Sequence, residues 1–423
     1  MPHHVYGAVD IGGTKIAAGL VDTEGELLHR VVLPTPARGS AQEVFATVAK
    51  LIDALAEDPR WTHVAGIGIG SAGPVDPRRG TVSPVNIPGW RDYPLVAGVA
   101  ALAPVAEPGA AAPQGRPVTL IGDASAMAAG EHWRGAARGY DDVLCLVVST
   151  GVGAGLIMDG ALRTGPSGNA GHLGHITVDF EGEPCPCGSV GCVEVMSSGT
   201  AIVRWALANG WRPEPQPTLS QPTLQQPTLQ QPTPGAAPVF PSATRGDNVV
   251  TSLANIDGVV HADATTGIAT MDPATADPNT ATEIRTAAPA VSTAPTASIA
   301  FTATSAPIST ATAADVAASA LLGNEIALAA FDRAGRALAA GIAAAATLAD
   351  LQVAVVGGGV AKAGSLLFDP LRRHLERYAS LPFTRDLVVL PATLDGDAGL
   401  IGAAAALAAA LTSGTVPPSA RSR

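Results

Sequence analysis

The sequence predicts an α/β protein with two related lobes, and three features support this prediction. The chain has 423 residues, 47% of them hydrophobic, which is enough for two domains that each bury a core. Two segments, "VYGAVDIGGTKIAAGLVDTEGEL" and "VLCLVVSTGVGAGLIMDGAL", both consist of an apolar strand, a glycine turn with a hydroxyl residue, and a second apolar strand. A third glycine turn, in "VAVVGGGVAKAG", follows another apolar strand. We therefore expect two lobes that face each other across a cleft and present their glycine turns to one ligand.

The order of these elements divides the chain. Residues 1–121 are expected to form the smaller, N-terminal α/β lobe with the first hairpin. Residues 122–211 and 314–398 are expected to form the larger lobe, with the second hairpin and the third glycine turn. An alanine-rich helix at about 399–412 is expected to return to the first lobe, and residues 413–423 form a tail.

Between these segments lies a stretch of different composition, residues 212–313. It is rich in Pro, Thr, Ala and Gln and begins with the repeat "QPTLSQPTLQQPTLQQPTPG". Proline every five residues blocks helix formation, and few large apolar groups are present to offset the entropy of ordering. The sequence therefore predicts a disordered insertion, with a Pro-rich segment that docks a partner as the alternative.

Charge and composition exclude several classes of protein. The formal net charge is −11, whereas a protein that binds nucleic acid non-specifically needs clustered Lys and Arg. The N-terminal sequence lacks the pattern of a signal peptide, and the alanine-rich runs are too short and too weakly apolar for a membrane span. We expect a cytoplasmic protein without nucleic-acid or membrane partners.

The first glycine turn has the composition of a phosphate-binding loop. In "DIGGTK", Gly12 and Gly13 let the backbone approach a phosphate, and Thr14 and Lys15 add a hydroxyl and a positive charge. Asp10 is suited to hold Mg²⁺ through water. A glycine hairpin is also common as a purely structural turn, so the prediction depends on the pair of hairpins.

The second and third turns extend this pattern. Thr150, Gly151 and Gly153 offer backbone donors from the second lobe, and Gly358 and Gly359 would let a base or ribose lie against the chain. Tight strand-to-helix packing is the alternative for the third turn. Neither a P-loop nor a correctly placed G-x-G-x-x-G motif occurs. A nucleotide held between two hairpin lobes fits the sequence best.

Three of the four cysteines lie with two histidines in "GHLGHITVDFEGEPCPCGSVGCVE", which raises the alternatives of a metal site, a redox site and a substrate pocket. No C-x-x-C pair is present in this stretch, which disfavours the redox interpretation. The remaining cysteine, Cys145, lies in the apolar run "VLCLVV" and is expected in the core.

Taken together, "DIGGTK", "GSAGPVD", "NIPGW", "GDASAMAAGE", "STGVGAGL" and the cysteine stretch resemble the ROK family of sugar kinases and repressors. The resemblance covers the chain except the insertion and the tail. It implies the two-lobed actin-like ATPase (ribonuclease H-like) fold, a homodimer, and phosphorylation by ATP of a hydroxyl group on a hexose or N-acylhexosamine. It also implies a structural Zn²⁺, whose ligands are His175, Cys185, Cys187 and Cys192.

The resemblance further assigns the residues around the sugar. Asp123 in "LIGDAS" matches the general base, although an Asp after a strand is also a common helix N-cap. The implied sugar contacts are Gly73, Asn86, Asp123, His172, His175 and Glu194.

Two positions depart from the family pattern. Gly122 stands where these kinases usually have Asn, and His172 stands where they usually have Glu, giving "GHLGH". A histidine accepts hydrogen bonds only in the appropriate tautomer. The form "AGHLGH" with "LPTPA" looks most like bacterial N-acetylmannosamine kinases, whereas "NIPGW" looks like the glucokinase branch. In the alternative interpretation, His172 only packs against the zinc loop.

Two other functional classes are alternatives to a kinase. Repressors of the family carry a helix-turn-helix domain before the first hairpin, and only nine residues precede Asp10 here. A catalytically weak scaffold that docks a partner through the insertion is the other alternative, favoured only by Gly122 and His172. The sequence therefore favours an ATP-dependent sugar kinase, with N-acetylmannosamine as the preferred substrate and glucose as the alternative.

Overall fold

The strands of the chain form two five-stranded sheets and one short hairpin, seen in a computed structural model that describes residues 4–213 and 311–415. The described residues belong to one compact unit. The strands are β1 (Val5–Ile11), β2 (Lys15–Asp22), β3 (Leu27–Pro34), β4 (Val64–Ser71), β5 (Val75–Asp76), β6 (Thr81–Val82), β7 (Val118–Gly122), β8 (Val143–Val148), β9 (Val152–Met158), β10 (Ala161–Arg163), β11 (Val353–Gly357) and β12 (Val388–Pro391).

The helices lie between and after these strands. They are α1 (Ala41–Ala56), α2 (Leu95–Ala100), α3 (Ala103–Ala106), α4 (Asp123–Arg134), α5 (Val193–Ser197), α6 (Gly199–Ala208), α7 (Ala313–Leu321), α8 (Glu325–Ala349), α9 (Ser365–Tyr378) and α10 (Ala398–Ser413). Short 3₁₀ helices occur at Pro59–His63, Leu173–His175, Val360–Ala363, Pro382–Thr384 and Asp395–Asp397.

The two large sheets have the same topology. The first has the order β3-β2-β1-β4-β7 and the second the order β10-β9-β8-β11-β12. In each, the first three strands are antiparallel and the last two are parallel to the central strand. This repeated arrangement confirms the predicted two-lobed actin-like ATPase (ribonuclease H-like) fold. The two predicted glycine hairpins are β1–β2 and β8–β9.

Each sheet packs against helices whose sequences explain their ends and faces. Helix α1 begins at a capping box, in which the Ser40 hydroxyl accepts from the Glu43 N–H and the Glu43 carboxylate accepts from the Ser40 N–H. Its buried face packs on the first sheet. In the second lobe, α8 begins at Asn324, whose side chain accepts from the Ala327 N–H, and ends at Asp350 in the left-handed region.

Helices α4 and α10 cross at glycines, which allows their backbones to touch. A Cβ on Gly402 would overlap the carbonyl oxygen of Ala126, and a Cβ on Gly130 would lie 2.5 Å from the carbonyl oxygen of Ala398. Helix α10 also packs on β1 and β4. By length and composition alone α10, with the residues just before it, is apolar enough for a membrane span, a property it shares with core helices of soluble proteins.

Two sequence predictions fall outside the described residues. The insertion predicted at 212–313 lies outside them from 214 to 310, and the chain is described again before Ala313, where α7 begins. Of the predicted tail, residues 416–423 lie outside the described part.

The crossing of α4 and α10 predicts that Gly402→Ala destabilises the protein. The added methyl group overlaps backbone atoms that cannot rotate away, so we expect a loss of about 2–4 kcal/mol and a fall in the thermal midpoint of about 5–10 °C. Ala409→Leu, which adds more atoms at an exposed position of the same helix, is the control and should stay within about 0.5 kcal/mol. Equal midpoints for the two variants in a thermal melt followed by circular dichroism would contradict the packing.

Candidate functional site

The backbone of the first glycine hairpin is held by a hydrogen bond within the turn and by two hydrogen bonds from Thr35, the residue after β3. The Gly12 N–H donates to the Lys15 carbonyl oxygen at 3.0 Å, and the Thr35 hydroxyl donates to the Gly12 carbonyl oxygen at 2.7 Å. The Thr35 N–H donates to the Thr14 carbonyl oxygen at 3.0 Å. A side chain at Gly13 would overlap the side-chain amide of Asn86. The predicted sugar contact Asn86 therefore lies against the predicted phosphate loop.

The second hairpin is tied to the helices of its own lobe. The Ser149 N–H donates to the Gly151 carbonyl oxygen at 2.8 Å, and the Thr200 hydroxyl donates to the Thr150 carbonyl oxygen at 3.0 Å. Glu194 on α5 accepts from the Val152 N–H at 2.8 Å. The structure thus places Glu194, predicted as a sugar contact, directly on the second hairpin.

The third glycine turn lies beside the second hairpin. Gly358 has φ +91°, and a Cβ there would overlap the carbonyl oxygen of Val148. A Cβ on Gly359 would lie 3.9 Å from the Ser149 hydroxyl oxygen. Glycine is required at 358 both for the left-handed backbone and for the close approach.

Asp123 is the first residue of α4 and opens onto the cleft between the sheets. It follows β7 at Gly122, and one of its oxygens accepts from the Ala124 N–H at 2.7 Å. Strands of both sheets contact the first turn of α4. A Cβ on Gly70 of β4 would lie 3.0 Å from the Cβ of Ala126, and a Cβ on Gly153 of β9 would lie 3.0 Å from the Cβ of Ala124. The helix that begins at Asp123 is therefore wedged between β4 of one sheet and β9 of the other.

The two cleft carboxylates interact electrostatically. The side chain of Asp123 is accessible from the cleft, but desolvation by the surrounding protein raises its pKa, and the nearby His172 opposes this effect. Burial, together with the charge of Asp123, raises the pKa of Asp10 to about 6, although Lys15 and Arg30 lower it. Negative charge on Asp123 disfavours negative charge on Asp10, and a divalent cation between them would relieve this repulsion. Carboxylate oxygens such as those of Asp10 are suitable ligands for Mg²⁺.

A small cavity next to Asp123 brings together several of the predicted site residues. Its volume is about 40 Å³. Gly73 contributes from the first lobe, and Gly153 and His172 contribute from the second, whereas Asn86 and Glu194 are not among its lining residues. The lining residues are Gly73, Gly122, Asp123, Ala124, Ser125, Gly153, Ala154, Gly168, Asn169, Ala170 and His172.

The hydrogen bond of His172 defines its tautomer. Its Nδ1 lies 2.8 Å from the carbonyl oxygen of Asn169. A carbonyl oxygen only accepts, so Nδ1 carries the proton and Nε2 is the acceptor of the neutral ring. The ring stacks near that of His175, with 6.3 Å between centroids. A neutral His172 can therefore accept a hydrogen bond, as the glutamate usual at this position would.

His175, Cys185, Cys187 and Cys192 come together as a candidate metal centre. One ligand atom from each lies within 4.8 Å of all the others. The sulfurs of Cys187 and Cys192 are 3.8 Å apart, and the Cys185 sulfur is 3.7 Å from the His175 Nδ1. Sulfurs bound to one tetrahedral zinc at about 2.3 Å are separated by about 3.8 Å, whereas a disulfide needs about 2.05 Å. The donor set and its spacing fit a closed, structural Zn²⁺.

Two residues that the sequence prediction missed hold the loops around this site. Glu183 forms ion pairs with Arg333 at 2.8 Å and with Arg204 at 2.9 Å, which anchors the cysteine loop to α8 and α6. Asn169 hydrogen-bonds to the backbone of Val75. The only signal for Asn169 in the sequence is its place in the loop "GPSGNAGHLGH", where three glycines adopt positive φ.

Comparison with known proteins agrees with this geometry. The profile of the ROK family matches residues 6–248 and 295–410, which is most of the chain. The chain belongs to the ROK family. A glucokinase from Thermotoga maritima is 28% identical over 406 residues, 96% of this chain and 97% of the relative.

Two further similarities bear on the ligands. An N-acetylmannosamine kinase from Escherichia fergusonii is 36% identical over 196 residues, and that alignment spans 46% of this chain and 62% of the relative. The crystal structure of a ROK family glucokinase from Streptomyces griseus, in complex with glucose and AMPPNP, is 28% identical with a TM-score of 0.59, and the match covers 95% of this chain and 98% of that one.

The metal centre predicts one zinc ion per chain. Cys187→Ser replaces a thiolate with a much poorer zinc ligand, so we expect the purified variant to hold well below one zinc by mass spectrometry and to melt at a lower temperature. Ser189→Ala, in the same loop but without a ligand atom, should retain the metal. Full zinc in Cys187→Ser, or none in the wild-type protein, would contradict the assignment.

Proposed function

We propose that this chain is an ATP-dependent sugar kinase that phosphorylates the 6-hydroxyl of a hexose or N-acylhexosamine, with N-acetylmannosamine favoured and glucose as the alternative. The observation that carries the proposal is the position of Asp123, which opens onto the cleft between the two sheets on a helix contacted by both of them. A carboxylate there can reach a hydroxyl group beside a nucleotide held by the two hairpins. The kinases among the relatives support this activity.

In the proposed reaction, Asp123 is the general base. Its carboxylate takes the proton of the sugar hydroxyl as the hydroxyl oxygen bonds to the γ-phosphorus of ATP. The bond between that phosphorus and the β,γ-bridging oxygen breaks, and ADP leaves. The desolvation that raises the pKa of Asp123 makes its carboxylate a stronger proton acceptor than an ordinary carboxylate.

The glycine turns are proposed to bind ATP. In this proposal Gly12, whose N–H donates to the Lys15 carbonyl oxygen, shapes the first turn so that the Gly13 backbone can approach a phosphate, and Lys15 supplies positive charge. Thr150, Gly151 and Gly153 would approach the phosphates from the second hairpin. Gly358 and Gly359 are proposed to approach the nucleoside. Asp10 would hold Mg²⁺, and the ion would offset negative charge on the phosphates.

The sugar contacts are proposed at Gly73, Asn86, Glu194 and the two histidines. Asn86 lies against the first hairpin and Glu194 bonds to the second, so these two proposed sugar contacts also touch the proposed phosphate loops. Binding of the sugar is thereby coupled to the arrangement of both hairpins. The substitution of His172 for the usual glutamate removes a negative charge from the pocket and offers an acceptor at Nε2 when the ring is neutral, which supports a sugar preference that differs from that of a typical relative.

The proposed zinc is architectural, because three thiolates and one imidazole leave no coordination position for water. It shapes the chain between His175 and Cys192, on either side of which lie His172 and Glu194. A homodimer in the cytoplasm, without nucleic-acid or membrane binding, completes the proposal.

A panel of sugars tests the function. Wild-type protein with Mg-ATP should release ADP with N-acetylmannosamine at a kcat/KM at least about tenfold above glucose, N-acetylglucosamine, mannose or fructose. His172→Glu, which restores the usual carboxylate, should lower the ratio of N-acetylmannosamine to glucose turnover. A wild-type preference for glucose would make the protein a glucokinase. No sugar-dependent ADP release from zinc-loaded, folded protein would reject the kinase.

A further inference from the structure

A clamp formed by Asn169 joins the two lobes at the edge of the cleft. Its side-chain amide donates to the Val75 carbonyl oxygen at 2.9 Å, and its side-chain oxygen accepts from the Val75 N–H at 3.2 Å. One side chain therefore satisfies both backbone groups of Val75, as a paired strand would. Asn169 follows β10 of the second sheet, whereas Val75 packs in the core of the first lobe.

Neighbouring contacts strengthen the same bridge. A Cβ on Gly168, which has φ +83°, would overlap the ring of Pro77, so the loop lies directly on the chain that follows β5. The amide of Asn169 also donates to the Ser167 carbonyl oxygen at 2.8 Å, which fixes the orientation of the side chain. The loop that follows β10 and precedes His175 is thus fastened to the first lobe by the side chain of Asn169.

The clamp is connected to the reacting groups on both sides. In the first lobe, Val75 is two residues from Gly73, which lines the cavity beside Asp123. In the second lobe, the carbonyl oxygen of Asn169 accepts from Nδ1 of His172. Asn169 thus fixes the separation between the backbone of Gly73 and the side chain of His172, which both line the cavity. Asn169 lines the cavity as well.

The cavity behind the clamp is bounded by the loop of Asn169. Its volume is about 40 Å³, and Asp123 and Asn169 both line it. A sugar hydroxyl that reaches Asp123 at this place would therefore lie next to the loop that Asn169 fastens to Val75.

We propose that Asn169 is a positioning residue of the sugar pocket: its paired hydrogen bonds to Val75, the latch, hold Gly73 of the first lobe and His172 of the second lobe at the separation that the substrate requires. This inference rests on the proposed kinase function. The state in which both bonds are formed is the closed state of the pocket, and two neutral hydrogen bonds favour it by a modest free energy.

Asn169→Ala tests the latch in steady-state kinetics, with N-acetylmannosamine and with glucose as probes. Loss of two hydrogen bonds from the closed state should raise the KM for the sugar by roughly tenfold or more. The KM for ATP should stay within about threefold. Asn169→Asp keeps the acceptor for the Val75 N–H and loses the donor, so its sugar KM should fall between those of wild type and Asn169→Ala.

Asn209→Ala is the matched control, because it removes an exposed asparagine at the end of α6 that bonds only within its own helix turn in the described contacts. It should change neither KM. Wild-type turnover with an unchanged sugar KM in Asn169→Ala would reject the latch and leave the kinase intact. Parallel changes in both KM values with a lower thermal midpoint would show a merely structural role and also reject it. Absence of sugar-dependent turnover in the wild-type protein would reject the kinase itself.

Discussion

The position of helix α4 is the constraint on which the rest of the structure depends. Its N-terminus carries Asp123, and its sides contact both sheets and helix α10 through glycines that allow backbone to meet backbone. Gly70 approaches it from β4, Gly155 from β9 and Gly402 from α10, and its Met127 fills the space left by Gly357 of β11. Because no large side chain separates α4 from β4, β9 or α10, α4 cannot move without displacing part of each lobe. The candidate base is therefore fixed in relation to both glycine hairpins.

The electrostatics of the cleft oppose stability and favour function. The raised pKa of Asp10, about 6, means that its ionised form is less favourable in the folded protein than in the unfolded chain. The stability that its protonated form contributes is present at low pH and is lost as the pH rises through about 6. Negative charge at Asp10 is therefore disfavoured by burial and by the neighbouring Asp123, and a bound cation would relieve both effects. The ion pair of Arg30 with Asp397, 3.1 Å, places one compensating charge at the start of α10.

The sequence predicted the parts of the site that depend on local pattern. The two glycine hairpins, the repeated lobes and the close set of His175 with three cysteines each occupy a short stretch, so their geometry follows from residue type and spacing. The contacts of Asn169 with Val75 and of Glu183 with Arg333 join residues 94 and 150 positions apart, and no local pattern encodes them. The buried carboxylate of Glu131 likewise accepts from the N–H groups of Thr393 and Leu394, at 3.0 and 2.9 Å. Such contacts depend on how the lobes pack, which the sequence alone does not give.

The most direct test of the account is the sugar-dependent turnover of Asp123→Asn. The amide keeps an oxygen for the Ala124 N–H but cannot take the proton of the sugar hydroxyl, so kcat should fall by about 10²–10⁴-fold, with the KM for ATP within about threefold. Asp386→Asn, the same change at an exposed position, should retain wild-type turnover. A kcat for Asp123→Asn within a few-fold of wild type would contradict the assignment of Asp123 as the base and, with it, the account of the cleft.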